Sequence, residues 1–305
     1  MSATVIIPQH GRADLTLACI TSIRRHESHP WPILVIDDGS PDKSAQQLTQ
    51  LLHLQSDHAQ LAAPSTKLAG SQCLSNGVFH SSLITVLHQP HRGLTAAWNT
   101  AALHSTTPIL VFLNNDTIAS GPFLQSLILP LQEPHRPPTH PGCGSEQPGC
   151  RINRLAMSPS HDVPAPLSPS PPCPALTGVR LRTESSLPKP LLKLLPTRQF
   201  LEGWCFAVRR DDLLRLGGFD ESMTLYWSDT DFQCRLLQSH EPLLQRPTGQ
   251  ADNSTACPFI AMPHLPLRHL GHQTTHAAPT HRQQWHTDRA AFIRKWSNLQ
   301  PRPGR

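Results

Sequence analysis

The chain has 305 residues and a formal net charge of +5 at neutral pH. This length is enough for a large hydrophobic core, and the basic residues are scattered rather than gathered in a block, which makes nucleic acid a poor candidate partner. The eight cysteines form no C-x-x-C pair, which excludes a zinc ribbon and a thioredoxin-like motif. No signal-peptide pattern and no run of about eighteen apolar residues is present, so the sequence predicts a cytoplasmic protein without a membrane-spanning helix.

Apolar runs and helical patterns alternate through the first 113 residues. The runs are short and rich in β-branched residues, which is typical of strands buried on both faces of a parallel sheet. This alternation predicts a doubly wound α/β sheet. In chain order, the predicted elements are strand 3–8, helix 15–23, strand 31–36, helix 44–54, strand 83–87, helix 94–104 and strand 108–113, with 55–82 as loop and helix end.

Carboxylates and amides follow two of these predicted strands. Asp37 and Asp38 end the second strand, and Asn114, Asn115 and Asp116 end the fourth. The ligand crevice of an open parallel sheet lies outside the carboxyl ends of its strands, so these side chains are predicted to line one site. Asn and Asp are also common in turns and at helix starts, so each cluster alone is equally compatible with a capping role.

Eight motifs in a fixed order carry a resemblance to a known family. The first four are Val-Ile-Ile-Pro at 5–8, Val-Ile-Asp-Asp-Gly-Ser at 35–40, Gly-x-x-x-Ala-x-Asn at 93–99 and Phe-Leu-Asn-Asn-Asp at 112–116. The second four are Gly-Trp-Cys-Phe-Ala-Val-Arg-Arg at 203–210, Gly-Gly-Phe-Asp at 217–220, Trp-Ser-Asp-Thr-Asp-Phe at 227–232 and His-Leu-Gly at 269–271. Together they resemble a family 2 glycosyltransferase of the rhamnosyltransferase-like type, which has the GT-A nucleotide-sugar fold.

The resemblance implies a Rossmann-like GT-A domain, an α/β fold with a mostly parallel sheet and helices on both faces. It divides the chain into a nucleotide-sugar-binding half, 1–130, and an acceptor-binding and catalytic half, 198–305, which ends in a helix. Between them, residues 131–197 hold 15 of the 32 prolines. Proline fixes φ and lacks a backbone N–H, so this segment is predicted as a flexible low-complexity insertion without a regular helix or central strand.

The resemblance also implies the donor and metal residues. Sugar transfer from a nucleoside diphosphate needs a divalent cation at the phosphates, and Mn²⁺ or Mg²⁺ prefers oxygen ligands. Asp116 is then the principal metal ligand, and His269 contacts the metal or the diphosphate. Asn114 replaces the first Asp of the family's Asp-x-Asp pattern. The expected nucleotide contacts are Pro8, His10, Arg12, Asp38, Arg92, Gly93, Asn99, Asn114 and Asn115.

The acidic motif at 227–232 predicts the catalytic base. Asp229 and Asp231 lie in the first turn of a helical pattern, where the helix dipole would stabilise them even without catalysis. By resemblance, Asp229 aligns with the base of the family's Glu-Asp pair, and Ser228 stands at the Glu position. Asp229 would accept the proton of the acceptor hydroxyl during a single displacement with inversion. Acceptor contacts are expected at Gly203 and Trp204, and Asp231 is expected to be either a structural or an acceptor-binding residue.

Aromatic residues at helical spacing predict a C-terminal helix from about 281 to 298. The aromatic side chains are Trp285, Phe292 and Trp296. This face either packs on the catalytic domain or lies on a membrane surface, which would make the protein peripheral at the inner face of a membrane.

The sequence therefore predicts a metal-dependent inverting glycosyltransferase of cell-surface polysaccharide or other glycan synthesis. Its partners would be a nucleotide-diphosphate sugar and a glycan, lipid-linked or protein acceptor. Two alternatives stay open, a nucleotidyltransferase and a non-catalytic nucleotide-sugar-binding scaffold. The nucleotidyltransferase would normally show a Gly-rich basic signature near the first strand, of which Gly11-Arg12 is only a fragment. Asn114 and Ser228 favour the scaffold, whereas the retained carboxylates favour the enzyme.

Overall fold

The computed structural model of this protein describes residues 2–61, 72–74, 78–80, 83–132, 175–244, 259–271 and 280–298. The strands in these ranges are β1 (Ala3–Gln9), β2 (Ile33–Asp38), β3 (Gln72–Leu74), β4 (Val78–His80), β5 (Ile84–Gln89), β6 (Ile109–Leu113), β7 (Thr117–Ala119), β8 (Leu176–Gly178), β9 (Leu181–Thr183), β10 (Gln199–Leu201), β11 (Cys205–Arg209), β12 (Phe259–Ala261) and β13 (Leu267–His269). The helices are α1 (Ala13–His26), α2 (Ser44–Leu61), α3 (Leu94–His104), α4 (Leu124–Ile128), a 3₁₀ turn (Leu129–Leu131), α5 (Lys189–Leu194), α6 (Arg210–Arg215), α7 (Ser228–Leu244) and α8 (His281–Ser297).

Nine strands form the main sheet, in the order β12-β8-β11-β6-β1-β2-β5-β4-β3. The four central strands, β6, β1, β2 and β5, are parallel to one another, as the alternation of strands and helices predicts. The strand β11 joins the sheet antiparallel to both β6 and β8, and β4 joins antiparallel to β5. The parallel centre places the carboxyl ends of β6, β1 and β2 side by side at one edge of the sheet.

The central strand β1 shows why this sheet needs helices on both faces. Successive side chains of a strand point to opposite faces, so Val5 and Ile7 enter one apolar cluster and Ile6 enters another. The first cluster includes Ile20 of α1, and the second includes Trp98 of α3. A continuous apolar run, rather than an alternating one, is the pattern of such a strand.

The C-terminal helix α8 packs its aromatic face inside the protein. Phe292 and Trp296 are buried, and they share a third apolar cluster with Met223 and Trp227. Of the two alternatives for this face, the structure supports packing on the domain. None of the described helices is long and apolar enough to cross a bilayer.

The last part of the proline-rich segment is ordered, contrary to the sequence-based prediction for 131–197. The strand β8 lies inside the main sheet between β11 and β12, and α5 follows it. The prediction is therefore wrong for residues 175–197. The run Ala175-Leu-Thr-Gly-Val lacks proline, and Pro190 lies in the first turn of α5, where its missing N–H costs nothing. Residues 133–174 lie outside the described part of the chain.

Candidate active site

A cavity of about 640 Å³ opens where the central parallel strands end, between the two halves of the chain. Carboxylates from both halves line it, as do aromatic side chains from the second half. The predicted site residues that line this cavity are Pro8, His10, Asp38, Gly93, Asn114, Asn115, Asp116, Gly203, Trp204, Asp229 and His269. The structure therefore gathers most of the predicted donor, metal and catalytic residues around one space.

A short antiparallel pair of strands brings His269 to the end of β6. The strand β13 pairs with β7 so that His269 lies opposite Thr117, and the backbone N–H of Leu270 donates to the carbonyl oxygen of Asp116 at 2.8 Å. The indole of Trp204 stacks on the His269 ring, with centroids 4.9 Å apart and an angle of 7° between the planes. The imidazole is thereby held next to the carboxylate of Asp116.

The geometry of Asp116 and His269 fits a divalent cation. Nε2 of His269 lies 3.0 Å from Oδ1 of Asp116, yet this nitrogen is buried and makes no hydrogen bond with any described residue. Adjacent ligands of an octahedral ion with bonds of about 2.1 Å lie about 3 Å apart, which matches this spacing. A carboxylate oxygen and an imidazole nitrogen both suit Mn²⁺, and the carboxylate suits Mg²⁺.

Asp38 lines the same cavity and holds the loop between β5 and α3. Its Oδ1 accepts hydrogen bonds from Nε2 of Gln89 at 2.7 Å and from the backbone N–H of Arg92 at 2.9 Å. Its Oδ2 accepts from the backbone N–H of Gly93 at 2.8 Å and lies 2.8 Å from Nδ1 of His91. These four contacts occupy most of the acceptor capacity of the carboxylate. Asp38 therefore shapes the wall of this pocket by fixing the loop.

His10 and His91 form a stacked pair beside Asp38, with ring centroids 4.3 Å apart and 30° between the planes. Together with Asp38 they bring three metal-ligand atoms within 4.8 Å of one another. A histidine binds a metal in the plane of its ring, and stacked planes do not converge on one ion. Each Nδ1 instead lies against the carbonyl oxygen of Asp38, at 2.9 and 3.1 Å. The pair fits a pocket wall better than a metal centre, and the sequence reasoning did not single out His91.

Asp37 is a buried carboxylate next to this pocket. Burial alone would raise the pKa of Asp37, but hydrogen bonds from His88, Ser40 and Gln9 outweigh burial and hold that pKa below its ordinary value. The stabilisation that these bonds provide is present above the ordinary pKa and is lost as pH falls through the lowered pKa. At neutral pH Asp37 is therefore an ionised structural group.

Asp229 enters the cavity from the first turn of α7. Trp227, directly before the helix, has a φ of 69°, in the left-handed region that residues other than glycine rarely adopt. The carboxylate of Asp229 faces Gly203 so closely that a Cβ at Gly203 would lie 2.7 Å from Oδ2. The absence of a side chain at Gly203 thus makes room for the predicted base.

We expect Gly203→Ala to reduce catalysis by displacing that carboxylate. Gly203 is not among the glycines with positive φ, so the added methyl acts by contact rather than by backbone strain. A displacement of about 1 Å can cost about 100-fold in rate, so kcat should fall by roughly that factor while the melting temperature changes little. The same substitution in an Asp229→Asn background should cost nothing further. Equal losses in both backgrounds would show that Gly203 acts independently of Asp229.

Three of the predicted donor residues lie away from the cavity lining. Arg12 forms an exposed ion pair with Asp14, and Arg92 forms one with Glu221. The amide of Asn99 donates to the carbonyl oxygen of Phe219 and accepts from its N–H. These contacts tie surface loops together, so the predicted nucleotide contacts of these three side chains find no support in their positions.

Asp231 has a structural position, which supports the first of its two predicted roles and corrects the second, that of an acceptor contact. It is 0% exposed, and its oxygens accept hydrogen bonds from Arg235, Lys295 and Trp296 at 2.8 to 3.0 Å. A buried carboxylate that is saturated by donors of α7 and α8 joins those helices and does not reach a ligand.

Asp288 is a residue of the site that the sequence reasoning missed. It is fully buried on α8, and its carboxylate accepts hydrogen bonds from the backbone N–H groups of Thr224, Leu225 and Tyr226 at 3.1, 3.0 and 2.9 Å. The segment 224–227 lines the cavity and leads into Asp229. An acidic residue inside the aromatic stripe of a helix was the available signal in the sequence.

A parallel sheet with a carboxylate-lined cavity outside its carboxyl ends is the arrangement of a nucleotide-binding α/β protein. The sequence model of the family described as glycosyl transferase family 2 matches residues 4–148. The matched residues are just under half of the chain, and the match agrees with the resemblance that the motifs showed. No curated protein sequence matches the chain.

Solved structures support the fold. The mannosyltransferase PcManGT from Pyrobaculum calidifontis is 16% identical, with a TM-score of 0.51, and the similarity covers 96% of this chain and 64% of that protein. The polypeptide thus spans just under two thirds of the length of that enzyme and shares its GT-A fold. GalNAc-T7 is 12% identical with a TM-score of 0.47, and the similarity covers 78% of this chain and 40% of that one. TarS from S. aureus is 13% identical with a TM-score of 0.43, and the similarity covers 77% of this chain and 55% of that one.

Proposed function

We propose that this protein is a metal-dependent inverting glycosyltransferase that moves a sugar from a nucleoside diphosphate to an acceptor hydroxyl. The observation that carries this proposal is the arrangement of three groups around one cavity. The two candidate metal ligands, Asp116 and His269, lie at the end of the parallel sheet. Asp229 enters the same space from α7. A donor held at the first pair would present its reacting carbon toward Asp229.

The charges of the cavity support the need for a metal ion. Arg182 is the one Lys or Arg among the described lining residues, and its guanidinium pairs with Glu184 at 2.7 Å. Asp38, Asp116 and Asp229 line the same space. A diphosphate would therefore meet mainly negative side chains. A cation at Asp116 and His269 would offset that repulsion and the charge that develops on the leaving diphosphate.

The residues of the chain account for the remaining chemistry. Asp229 accepts the proton of the acceptor hydroxyl as that oxygen bonds to the anomeric carbon. The bond from that carbon to the diphosphate oxygen breaks on the opposite side, and the nucleoside diphosphate leaves. One displacement of this kind inverts the anomeric configuration without a covalent enzyme intermediate. Gly203 and Trp204 line the same cavity, and Gly203 lies directly beside the Asp229 carboxylate.

Calorimetric titration of GDP, UDP and their sugar conjugates tests this proposal. PcManGT is described with GDP-Man and Mn²⁺ and GalNAc-T7 with UDP, GalNAc and Mn²⁺, which makes these two nucleotides the first choices. With Mn²⁺ or Mg²⁺ we expect one nucleotide to bind, and with EDTA we expect its binding to be lost. Binding that EDTA leaves unchanged would exclude the metal. If no nucleotide binds, the donor site is wrong. Nucleotide binding without release of free sugar or transfer to any acceptor would support the non-catalytic scaffold.

A further inference from the structure

The helices α5 and α8 pack against each other, although they are far apart in the sequence. Leu191 and Leu192 of α5 share an apolar cluster with Phe292 and Trp296 of α8. A helix that buries an apolar side in this way turns its opposite side to the solvent. The aromatic side of α8 is therefore used inside the protein, and the outward sides of the two helices are open to a partner.

The outward side of α5 combines positive charge with an exposed apolar side chain. Lys189 and Lys193 are both exposed, and residues four positions apart lie on the same side of a helix. Leu194 follows directly and is 38% exposed. A lysine stem can lie along an apolar surface while its ammonium group stays in a polar layer. This combination is typical of segments that lie at a membrane surface.

The outward side of α8 extends this positive charge. Arg282, His286 and Arg289 follow one another at i, i+4 and i+7, which places them along one stripe of the helix. Arg282 and His286 are exposed, and Arg289 is partly exposed. Cζ of Arg289 lies 5.7 Å from the centroid of the Trp285 ring, and its Nη2 donates to the carbonyl oxygen of Ser186, just before α5. Arg289 thereby connects the basic residues of the two helices.

The surface that these residues form is called the α5–α8 face and consists of Lys189, Lys193, Leu194, Arg282 and Arg289. Within the described part of the chain, no carboxylate forms an ion pair with any of its four cations. Residues 185–201 contain no Asp or Glu, and residues 281–298 contain one, Asp288, which is buried. Lys295, near the end of α8, is different because it pairs with Asp220. The α5–α8 face therefore carries positive charge that its own elements do not neutralise.

We propose that the α5–α8 face docks on an anionic bilayer surface, with its cations at the lipid phosphates and Leu194 in the interfacial layer. A Lys or Arg side chain near such a surface strengthens binding by about fivefold. The exposed leucine favours a bilayer over a soluble polyanion, because only the bilayer offers it an apolar layer.

This inference goes beyond the proposed function and does not depend on it. Ser186, which accepts the hydrogen bond of Arg289, also lines the cavity, as does Trp285. Docking through the α5–α8 face would therefore bring the cavity close to the membrane surface.

Cosedimentation with vesicles tests the docking. The probes are phosphatidylcholine vesicles with and without phosphatidylglycerol, and immobilised heparin serves as a polyanion without a bilayer. We expect binding to the anionic vesicles only, and we expect it to be lost as salt rises from about 0.1 to about 0.5 M. Lys189→Gln/Lys193→Gln should weaken this binding about 25-fold, and Arg282→Gln should weaken it about fivefold.

Two further variants separate the face from net charge and from polyanion binding. Arg24→Gln/Arg25→Gln removes the same charge from exposed positions of α1, whose apolar residues belong to the first cluster, and should change binding by less than about twofold. Leu194→Ser should weaken vesicle binding about fourfold and leave heparin binding unchanged. All four variants change exposed side chains, so their melting temperatures should match that of wild type.

Three results would overturn the inference. The first is no binding to the anionic vesicles, and the second is equal weakening by the α1 and α5 double variants. The third is binding to heparin without binding to vesicles, which would assign the face to a polyanion. Each of them would leave metal-dependent nucleotide binding, and with it the proposed function, standing. Failure of nucleotide binding would in turn leave the vesicle result intact.

Discussion

Asp116→Asn should lower the rate of sugar transfer by about 10²–10³-fold, because a metal ligand that offsets leaving-group charge contributes several kcal/mol. The amide keeps the size of the side chain and removes its charge. Nucleotide affinity in the presence of Mn²⁺ should fall to the value that wild type shows in EDTA. Calorimetry gives the affinity, and release of nucleoside diphosphate gives the rate.

Two comparisons define what this result means. Asp211→Asn changes an exposed carboxylate in the first turn of α6 and should leave both quantities at the wild-type value. His269→Ala should weaken metal-dependent binding without the full loss, since Asp116 would still ligate the ion. If Asp116→Asn retains metal-dependent nucleotide binding of wild-type strength, the metal lies elsewhere, and the pocket of His10, Asp38 and His91 becomes the next place to examine.

Asp229→Asn should lower kcat by about 10²–10⁴-fold, the usual contribution of a positioned general base. The new amide would fill the same space beside Gly203 but could not take the acceptor proton. The candidate metal ligands are Asp116 and His269, not Asp229. Nucleotide and metal affinities should therefore stay at the wild-type values. This separation of kcat from donor binding distinguishes the variant from Asp116→Asn.

Pre-steady-state and binding measurements together check this result. Thermal unfolding of the variant should resemble that of wild type, since Asp229 makes one side-chain hydrogen bond at 3.3 Å in the described structure, with Thr230. Loss of nucleotide binding along with kcat would mean that Asp229 supports the donor site. An unchanged kcat would assign the base to another group and leave the donor site in place.

Local patterns in the sequence were sufficient for the parallel half of the fold. The helix predicted over 94–104 has those bounds in α3, and the four predicted strands form the parallel centre of the sheet. The physical reason is that a short apolar run is typical of a strand buried on both faces of a parallel sheet, whose strand ends then share one edge. The meeting of Asp38 and Asp116 at one cavity follows directly from that geometry.

Residue roles in the second half depended on packing that spacing along the chain does not reveal. Asp229 and Asp231 are two positions apart, which on a helix turns their side chains about 200° from each other. One must face the cavity and the other the interior, and the donors on α8 decide that Asp231 is the buried one. Capping and catalysis give the same local pattern, so the sequence alone left Asp231 open as a structural or an acceptor-binding residue.

The sequence by itself therefore determined the resemblance to family 2 glycosyltransferases, the parallel sheet and the carboxylates at its edge. Only the tertiary structure decided which later residues join them. It placed His269 beside Asp116 through the pairing of β13 with β7, and it placed Asp288 beneath the segment before α7. Each of these contacts joins residues far apart in the chain. Short-range periodicity reports which face of an element is buried, whereas the partner across that face depends on how all the elements pack.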